Sequence, residues 1–263
     1  MRAGETMRSC IRPRLLCLLA ALVLALPGCS HVEGYYKDSK KFYYKHINRP
    51  STVDITDRTT LETSESALVQ RMMAFDNELT KLEKALDAFA TPPDAQGAAT
   101  LLRRFPWLSG LAMVAPDGTL GAAIPSVPLK QLDYTPLLEP APKALPRALR
   151  SFVQDTPLGP EIVVARPFLE EDQLQVLLVA SFDFRALLPF VSSPGDLVVR
   201  SADTLIWSGD IDYNASPMGK VDWPALLKEE SYGELSNENG AMLWVTRYLG
   251  GRPLVFASKV TKE

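Results

Sequence analysis

The most regular pattern in the chain is an apolar stripe between residues 64 and 90. The apolar positions, spaced alternately four and three residues apart, are Leu68, Met72, Phe75, Leu79, Leu82, Leu86 and Phe89. This spacing predicts one long amphipathic helix. Thr63 or Ser64 can cap its start, and Pro92 and Pro93 end it. The stripe has two interpretations: it packs on the protein's own sheet, or it forms the seam of a coiled-coil homodimer.

Beyond the helix, short apolar runs separated by turn residues indicate strands. Residues 110–115 and 119–124 flank Asp117-Gly118, and Asp-Gly accepts the positive φ that a tight hairpin turn requires. Six prolines lie between residues 125 and 146. Proline cannot donate to a strand ladder, so this segment is predicted to be a stiff loop with short helical pieces.

A second hairpin is predicted from residues 161–169 and 173–182. Both strands contain runs that are apolar at every position, which indicates a central pair covered on both faces, and Asp183 can cap a short helix after it. A smaller set of elements follows, with strands at 196–200, 204–208, 233–236, 241–249 and 254–258 and a helix at 223–229.

The N-terminal segment is predicted to be a lipoprotein signal peptide. Four arginines precede an apolar run from Leu15 to Leu26 that is too short to span about 30 Å of hydrocarbon. The following residues, Pro27-Gly28-Cys29, resemble the end of the lipobox of bacterial lipoproteins, although Pro27 departs from the usual small residue. The resemblance implies cleavage before Cys29 and lipid, including palmitate, on Cys29. Ser30, which is not Asp, implies the periplasmic face of the outer membrane.

Residues 29–60 are predicted to be a tether. They are polar and aromatic by turns, with tyrosines and lysines such as Tyr35, Tyr36, Lys40 and Lys41. Either this is a plain spacer, or the amphipathic side chains lie on the lipid surface or on a partner near the anchor.

Composition narrows the class of function. The 235 residues after the signal carry 24 basic and 30 acidic side chains, a net charge of about −6, which disfavours nucleic acid as a partner. Both histidines, His31 and His46, fall in the tether, so the folded part lacks a histidine base or ligand. Residues 210–214 begin like a calcium loop, but Ala215 stands where the loop needs glycine. We therefore expect no enzyme, no cofactor and no metal.

The order of the predicted elements resembles extracellular Cache sensor domains, which are PAS-like. Four phrases carry the resemblance: Phe105-Pro106-Trp107-Leu108-Ser109-Gly110-Leu111, Ala115-Pro116-Asp117-Gly118-Thr119, Val164-Ala165-Arg166-Pro167 and Ala180-Ser181-Phe182-Asp183. The resemblance implies an α+β fold with a long N-terminal helix, a larger PAS-like antiparallel sheet lobe at 61–192 and a smaller lobe at 193–263. It also implies ligand sensing through a partner, because we expect no output domain after the last strand.

In Cache domains a small ligand generally lies between the sheet and the layer over it. The residues expected to contact one here are Arg166, Trp107, Asp133 and Tyr134, with Arg166 meeting a ligand carboxylate in two hydrogen bonds. Each also has a structural interpretation: a salt bridge for Arg166, core packing for Trp107, and simple solvation for the loop pair.

Two functions remain open. The first is a lipid-anchored, non-enzymatic ligand-binding or sensory accessory module. The second is a scaffold or assembly lipoprotein whose PAS-like fold binds an envelope protein and not a small ligand.

Overall fold

The computed structural model describes residues 63–139 and 148–260. The signal segment, Cys29 and the tether lie outside the described residues. Three helices are described: α1 (Thr63–Asp87), α2 (Ala95–Arg104) and α3 (Trp223–Glu229). In this part of the chain no helix is both long and apolar enough to cross a bilayer.

Ten strands form two antiparallel sheets. The first sheet contains β1 (Gly110–Val114), β2 (Leu120–Ile124), β3 (Arg150–Gln154), β4 (Glu161–Glu170) and β5 (Gln173–Phe182). The second contains β6 (Leu197–Ser201), β7 (Leu205–Trp207), β8 (Tyr232–Asn237), β9 (Gly240–Leu249) and β10 (Arg252–Lys259). Their orders, β2-β1-β5-β4-β3 and β7-β6-β10-β9-β8, are the same when each sheet is counted from its own first strand.

The predicted fold class is confirmed: one long helix precedes two α+β lobes with antiparallel sheets. Both predicted hairpins are present, and the second occupies the middle of its sheet. Helix α2 and strand β3 were not predicted. The domain boundary between residues 192 and 193 stays a prediction.

Helix α1 packs against both sheets. Its apolar stripe packs against one face of each sheet in a single cluster, and Leu79, Leu82 and Phe75 are at most 1% exposed. The Phe75 ring lies 4.9 Å from the Phe256 ring of β10 and 5.7 Å from the Phe184 ring that follows β5. The stripe is therefore core, as the first interpretation expected. A homodimer seam built from the same side chains is not supported, because they are already buried within the chain.

The opposite face of each sheet has its own cover. Helix α3 covers the second sheet through Trp223 and Leu227. The segment around Leu132–Leu138, which includes a 3-10 helix at Thr135–Leu137, covers the first sheet through Leu137. The loop predicted from the prolines thus forms a layer over the first sheet, and the space between this layer and the sheet holds the candidate site.

Candidate functional site

A cavity of about 490 Å³ lies between the first sheet and the 125–134 loop. Its walls are mainly apolar. The lining side chains that matter for its chemistry are Leu111, Ala112, Ala123, Leu129, Leu132, Tyr134, Leu158, Val179 and Ser181, together with the charged residues Lys130, Glu161, Asp183 and Arg185. Volume, apolar lining and a small set of grouped polar side chains match the usual character of small-molecule sites.

The charged end of the cavity is built by paired strands. Glu161 begins β4 and Asp183 follows β5. The register pairs Ile162 with Phe182, so the next residues outward, Glu161 and Asp183, stand opposite each other. Two like charges in this position repel each other, and a cation between them offsets that repulsion.

Lys130 supplies that cation from the loop. Its Nζ atom donates to Asp183 Oδ2 at 2.7 Å and to the Pro160 carbonyl oxygen at 3.1 Å. Nζ also lies 2.8 Å from Glu161 Oε2, although the geometry there is not that of a hydrogen bond and, within the described residues, Oε2 has no hydrogen-bond donor. The Glu161 side chain is 1% exposed and that of Lys130 is 10% exposed.

Arg185 completes the cluster from the outside. Its Nε donates to Asp183 Oδ1 at 2.8 Å, and its Nη2 donates to the Leu158 carbonyl at 2.6 Å. Asp183 also caps the following 3-10 helix by accepting from the Arg185 backbone N–H. Burial raises the pKa of Asp183, but the hydrogen bonds from Arg185 and Lys130 outweigh it and hold the pKa at about 2.

Tyr134 stands beside this cluster. Burial and the nearby negative charge of Glu161 raise the pKa of the Tyr134 phenol. Tyr134 also lines the cavity, and its hydroxyl stays protonated at neutral pH and so keeps its hydrogen-bond donor.

Two of the apolar side chains that line the cavity are exposed. Leu129 and Leu158 line it and are 86% and 49% exposed. A ligand that contacted them would therefore cover exposed apolar surface.

The structure does not bring the four sequence-predicted ligand residues together. Tyr134 lines the cavity. Asp133 is exposed and accepts from the Thr135 backbone N–H and hydroxyl, which gives it the solvated role that was the alternative interpretation.

Arg166 and Trp107 lie on the helix face of the first sheet. On β4, Ile162 and Val164 pack in the α1 cluster while Val163 packs in the loop cluster. Side chains two residues apart on a strand point to the same face, so Arg166 lies on the face of Ile162 and Val164. Its Nε lies 3.8 Å from Asp87 Oδ1 of α1. Trp107 packs with its ring 5.0 Å from the Phe182 ring. Arg166 and Trp107 do not line the cavity, so a ligand carboxylate in it would not meet Arg166.

Sequence reasoning missed Lys130 and Glu161, and identified Asp183 as a helix cap alone. The predicted hairpin could have indicated the two acidic residues. Glu161 lies at the start of its first strand and Asp183 just after its second, so both fall at the same end of the hairpin. Nothing in the sequence indicated the position of Lys130, since no strand pairing fixes how a proline-rich loop lies on a sheet. In the described parts of the chain, no group of three or more His, Cys, Asp or Glu side chains could hold a metal ion.

Comparison with known proteins finds similarity in structure alone. No protein-family model matches the chain, and no curated protein matches it. Among solved structures, an extracellular ligand-binding receptor from Desulfohalobium retbaense is 14% identical over 76% of this chain and 40% of its own, with a TM-score of 0.45.

Two further structures match over most of their own length. The extracellular domain of a protein described as a histidine kinase, vpHK1S-Z8, is 15% identical over 78% of this chain and 97% of its own, with a TM-score of 0.48. The ligand-binding domain of the Pseudomonas fluorescens chemoreceptor CtaA, in complex with L-alanine, is 13% identical over 76% and 94%, with a TM-score of 0.43. These similar structures are extracellular sensor or ligand-binding domains, and no residue role follows from likeness at this level.

Proposed function

We propose that this protein is a lipid-anchored envelope protein whose first lobe binds a small ligand and serves as a sensory accessory module. The observation that supports ligand binding is the cavity of about 490 Å³ between the first sheet and the 125–134 loop. It combines an apolar chamber with one polar end formed by Lys130, Glu161, Asp183 and Tyr134. Apolar walls supply affinity, and a few fixed polar groups orient the ligand.

A filled cavity tests this binding site. Ala123 lines the cavity from β2, and Ala122, the next residue on the same strand, is exposed on the other face. Ala123→Trp should therefore occupy the chamber, while Ala122→Trp makes the same change outside it. A thermal-shift screen should cover amino acids, small carboxylates, purines and small uncharged apolar compounds. L-alanine is included because the CtaA domain holds it.

We expect at least one compound to stabilise the wild type and Ala122→Trp but not Ala123→Trp. A ligand at 100 times its dissociation constant adds about 2.7 kcal/mol to the free energy of unfolding. A compound that stabilises Ala123→Trp as much as the wild type would contradict binding in this cavity. A wild type that responds to nothing in the screen would count against the sensory proposal.

The anchor is a separate part of the proposal and depends on Cys29 alone. Two or more acyl chains hold a protein stably on a bilayer, whereas one chain is marginal. Cys29→Ala should leave a chain without palmitate label that no longer enters the detergent phase, and Cys17→Ala is the matched control within the signal segment. Label retained in Cys29→Ala would contradict the anchor, and recovery of the wild type in the inner membrane would contradict placement on the outer membrane.

The scaffold alternative is favoured by one observation. Val127 and Leu129 of the loop are 82% and 86% exposed, and neighbouring exposed apolar side chains often mark contact sites for other proteins. If the loop binds an envelope partner, Val127→Glu with Leu129→Glu should abolish a crosslink formed in the host cell, while Ala123→Trp leaves it intact. The reverse pattern would favour the ligand-binding proposal.

A further inference from the structure

The oxygens around Lys130 Nζ form a site for a primary ammonium group. An ammonium has three N–H donors. Two oxygens accept hydrogen bonds from this one, Asp183 Oδ2 at 2.7 Å and the Pro160 carbonyl oxygen at 3.1 Å. A third oxygen, Glu161 Oε2, lies 2.8 Å away as an ion-pair partner without hydrogen-bond geometry. All three belong to the β4 and β5 end of the sheet, whereas the ammonium comes from the loop. The backbone that carries these oxygens is therefore held by the pairing of β4 with β5 and not by Lys130.

Because Glu161 is buried, this site is stable only with a cation bound to it. The Glu161 side chain is 1% exposed, and a buried carboxylate without a counter-charge is strongly unfavourable. Asp183 has Arg185 as a second basic partner through two side-chain hydrogen bonds. Glu161 has Lys130 at 2.8 Å. Without the Lys130 charge, the end of the cavity would carry a net negative charge and would attract another ammonium.

With Lys130 in place, the charges balance. Lys130 and Arg185 offset Glu161 and Asp183, so the end of the cavity is neutral and its ammonium position is full. A ligand that carries its own ammonium group would have to displace Lys130 from three oxygens. An uncharged ligand would meet the apolar walls and the Tyr134 hydroxyl without that cost.

We propose that Lys130 determines specificity by filling an ammonium site with its own side chain, so that the cavity excludes ligands bearing an ammonium group and selects small, uncharged, mainly apolar molecules. The ligand-class part of this inference rests on the proposed function, but the ammonium site itself does not. It can be tested whether or not the natural ligand is known.

Chemical rescue tests the site directly. Lys130→Ala removes the ammonium and leaves a space that ethylammonium can enter. We expect this variant to unfold at a lower temperature than the wild type and to recover saturably with ethylammonium chloride. Tetramethylammonium chloride at the same ionic strength supplies charge without N–H donors and should not restore stability. The wild type should respond to neither salt.

A second variant separates the carboxylate from the rest of the site. In Lys130→Ala with Glu161→Gln the buried charge is gone, so we expect a more stable protein that binds ethylammonium at least about tenfold more weakly than Lys130→Ala. Should Lys130→Ala fail to purify folded, its refolding yield from urea with and without ethylammonium gives the same comparison.

The ligand class is tested with a matched pair, 3-methylbutanol and 3-methylbutylammonium. The wild type should prefer the alcohol, and Lys130→Ala should prefer the ammonium compound. No response of Lys130→Ala to either primary amine would overturn the role of Lys130, even if the wild type binds a compound from the screen. A wild type that binds primary amines as tightly as Lys130→Ala would overturn it too. A wild type that binds neither probe while the rescue succeeds would count against the uncharged ligand class and leave the ammonium site standing.

Discussion

Arg247 of β9 and Glu83 of α1 form a 2.8 Å ion pair between residues 164 positions apart in the sequence. The Arg247 side chain is 0% exposed and also pairs with Asp76 of the same helix through Nε. Its Nη2 lies 3.3 Å from the Thr80 hydroxyl. Burial raises the pKa of Glu83, and Arg247 opposes that rise. One guanidinium thus holds a face of α1 against the second sheet.

Removing that guanidinium should be costly. Arg247→Met leaves Asp76 and Glu83 without their buried partner, and we expect the free energy of unfolding to fall by about 3–5 kcal/mol. Adding Asp76→Asn and Glu83→Gln should recover part of the loss, because the unpaired charges are then gone. Arg71→Met is the control: Arg71 pairs with Asp196, whose side chain is 57% exposed, and its loss should cost at most about 1 kcal/mol. Equal losses in urea unfolding for Arg247→Met and Arg71→Met would contradict this account.

The stripe of α1 offers a second comparison on one helix. Leu79 is 1% exposed and Met73 is 47% exposed. Leu79→Ala opens a cavity in the core shared by the two sheets and should cost about 2–5 kcal/mol. Met73→Ala should change the free energy of unfolding by no more than about 0.5 kcal/mol. If sedimentation showed that Leu79→Ala acted mainly by dissociating a dimer, assignment of the stripe to the core within one chain would be wrong.

Asp183 should make the free energy of unfolding depend on pH in the acidic range. Its pKa is 3.8 in the unfolded reference and about 2 in the folded protein, so its contribution is complete above pH 4 to 5 and is lost as pH falls toward 2. The shift corresponds to at most about 2 kcal/mol, and because Asp183 is only partly buried we expect solvent screening to reduce its contribution to about 1 kcal/mol. The stability gap between wild type and Asp183→Asn should therefore shrink between pH 5 and pH 2. Asn keeps the helix cap, so the capping hydrogen bond is not the cause of the gap.

Asp87 provides the control of opposite sign. Burial raises the pKa of Asp87 despite Arg166 nearby, so ionisation of Asp87 disfavours the fold and any effect should appear as pH rises. The free energy of unfolding can be measured by chemical unfolding for the wild type and for Asp183→Asn. If the two values changed in parallel from pH 5 to pH 2, the Asp183 prediction would be contradicted.

The turn between β9 and β10 contains a matched pair of glycines. Both have positive φ, +50° at Gly250 and +80° at Gly251, so alanine is strained at either position by about 1 kcal/mol. A Cβ on Gly250 would also lie 2.7 Å from the Arg150 carbonyl carbon of β3, whereas one on Gly251 meets nothing within 4 Å. Gly250→Ala should therefore lower the melting temperature more than Gly251→Ala. Equal effects would show that close approach to β3 is unimportant there.

Most of the elements could be predicted from local pattern. The stripe from Leu68 to Leu86 predicts α1 because a helical period leaves one continuous face, and the apolar runs of β4 and β5 predict a central hairpin because a strand covered on both faces needs no polar side. Strand β3 was missed since Phe152 and Val153 are its only large apolar residues. Helix α2 was missed because its apolar content is mostly alanine, although Asp94 caps it.

The sequence alone determined where the chain is helical, where it is extended and which positions are apolar, because these follow from spacing and turn chemistry within a few residues. Only the tertiary structure decided what covers each apolar face. It buried the α1 stripe against two sheets, turned Arg166 toward α1, and brought Lys130 from a loop without register onto the paired ends of β4 and β5. Those outcomes depend on contacts between segments far apart in the chain, and a pattern that records only the periodicity of each segment does not specify its partner.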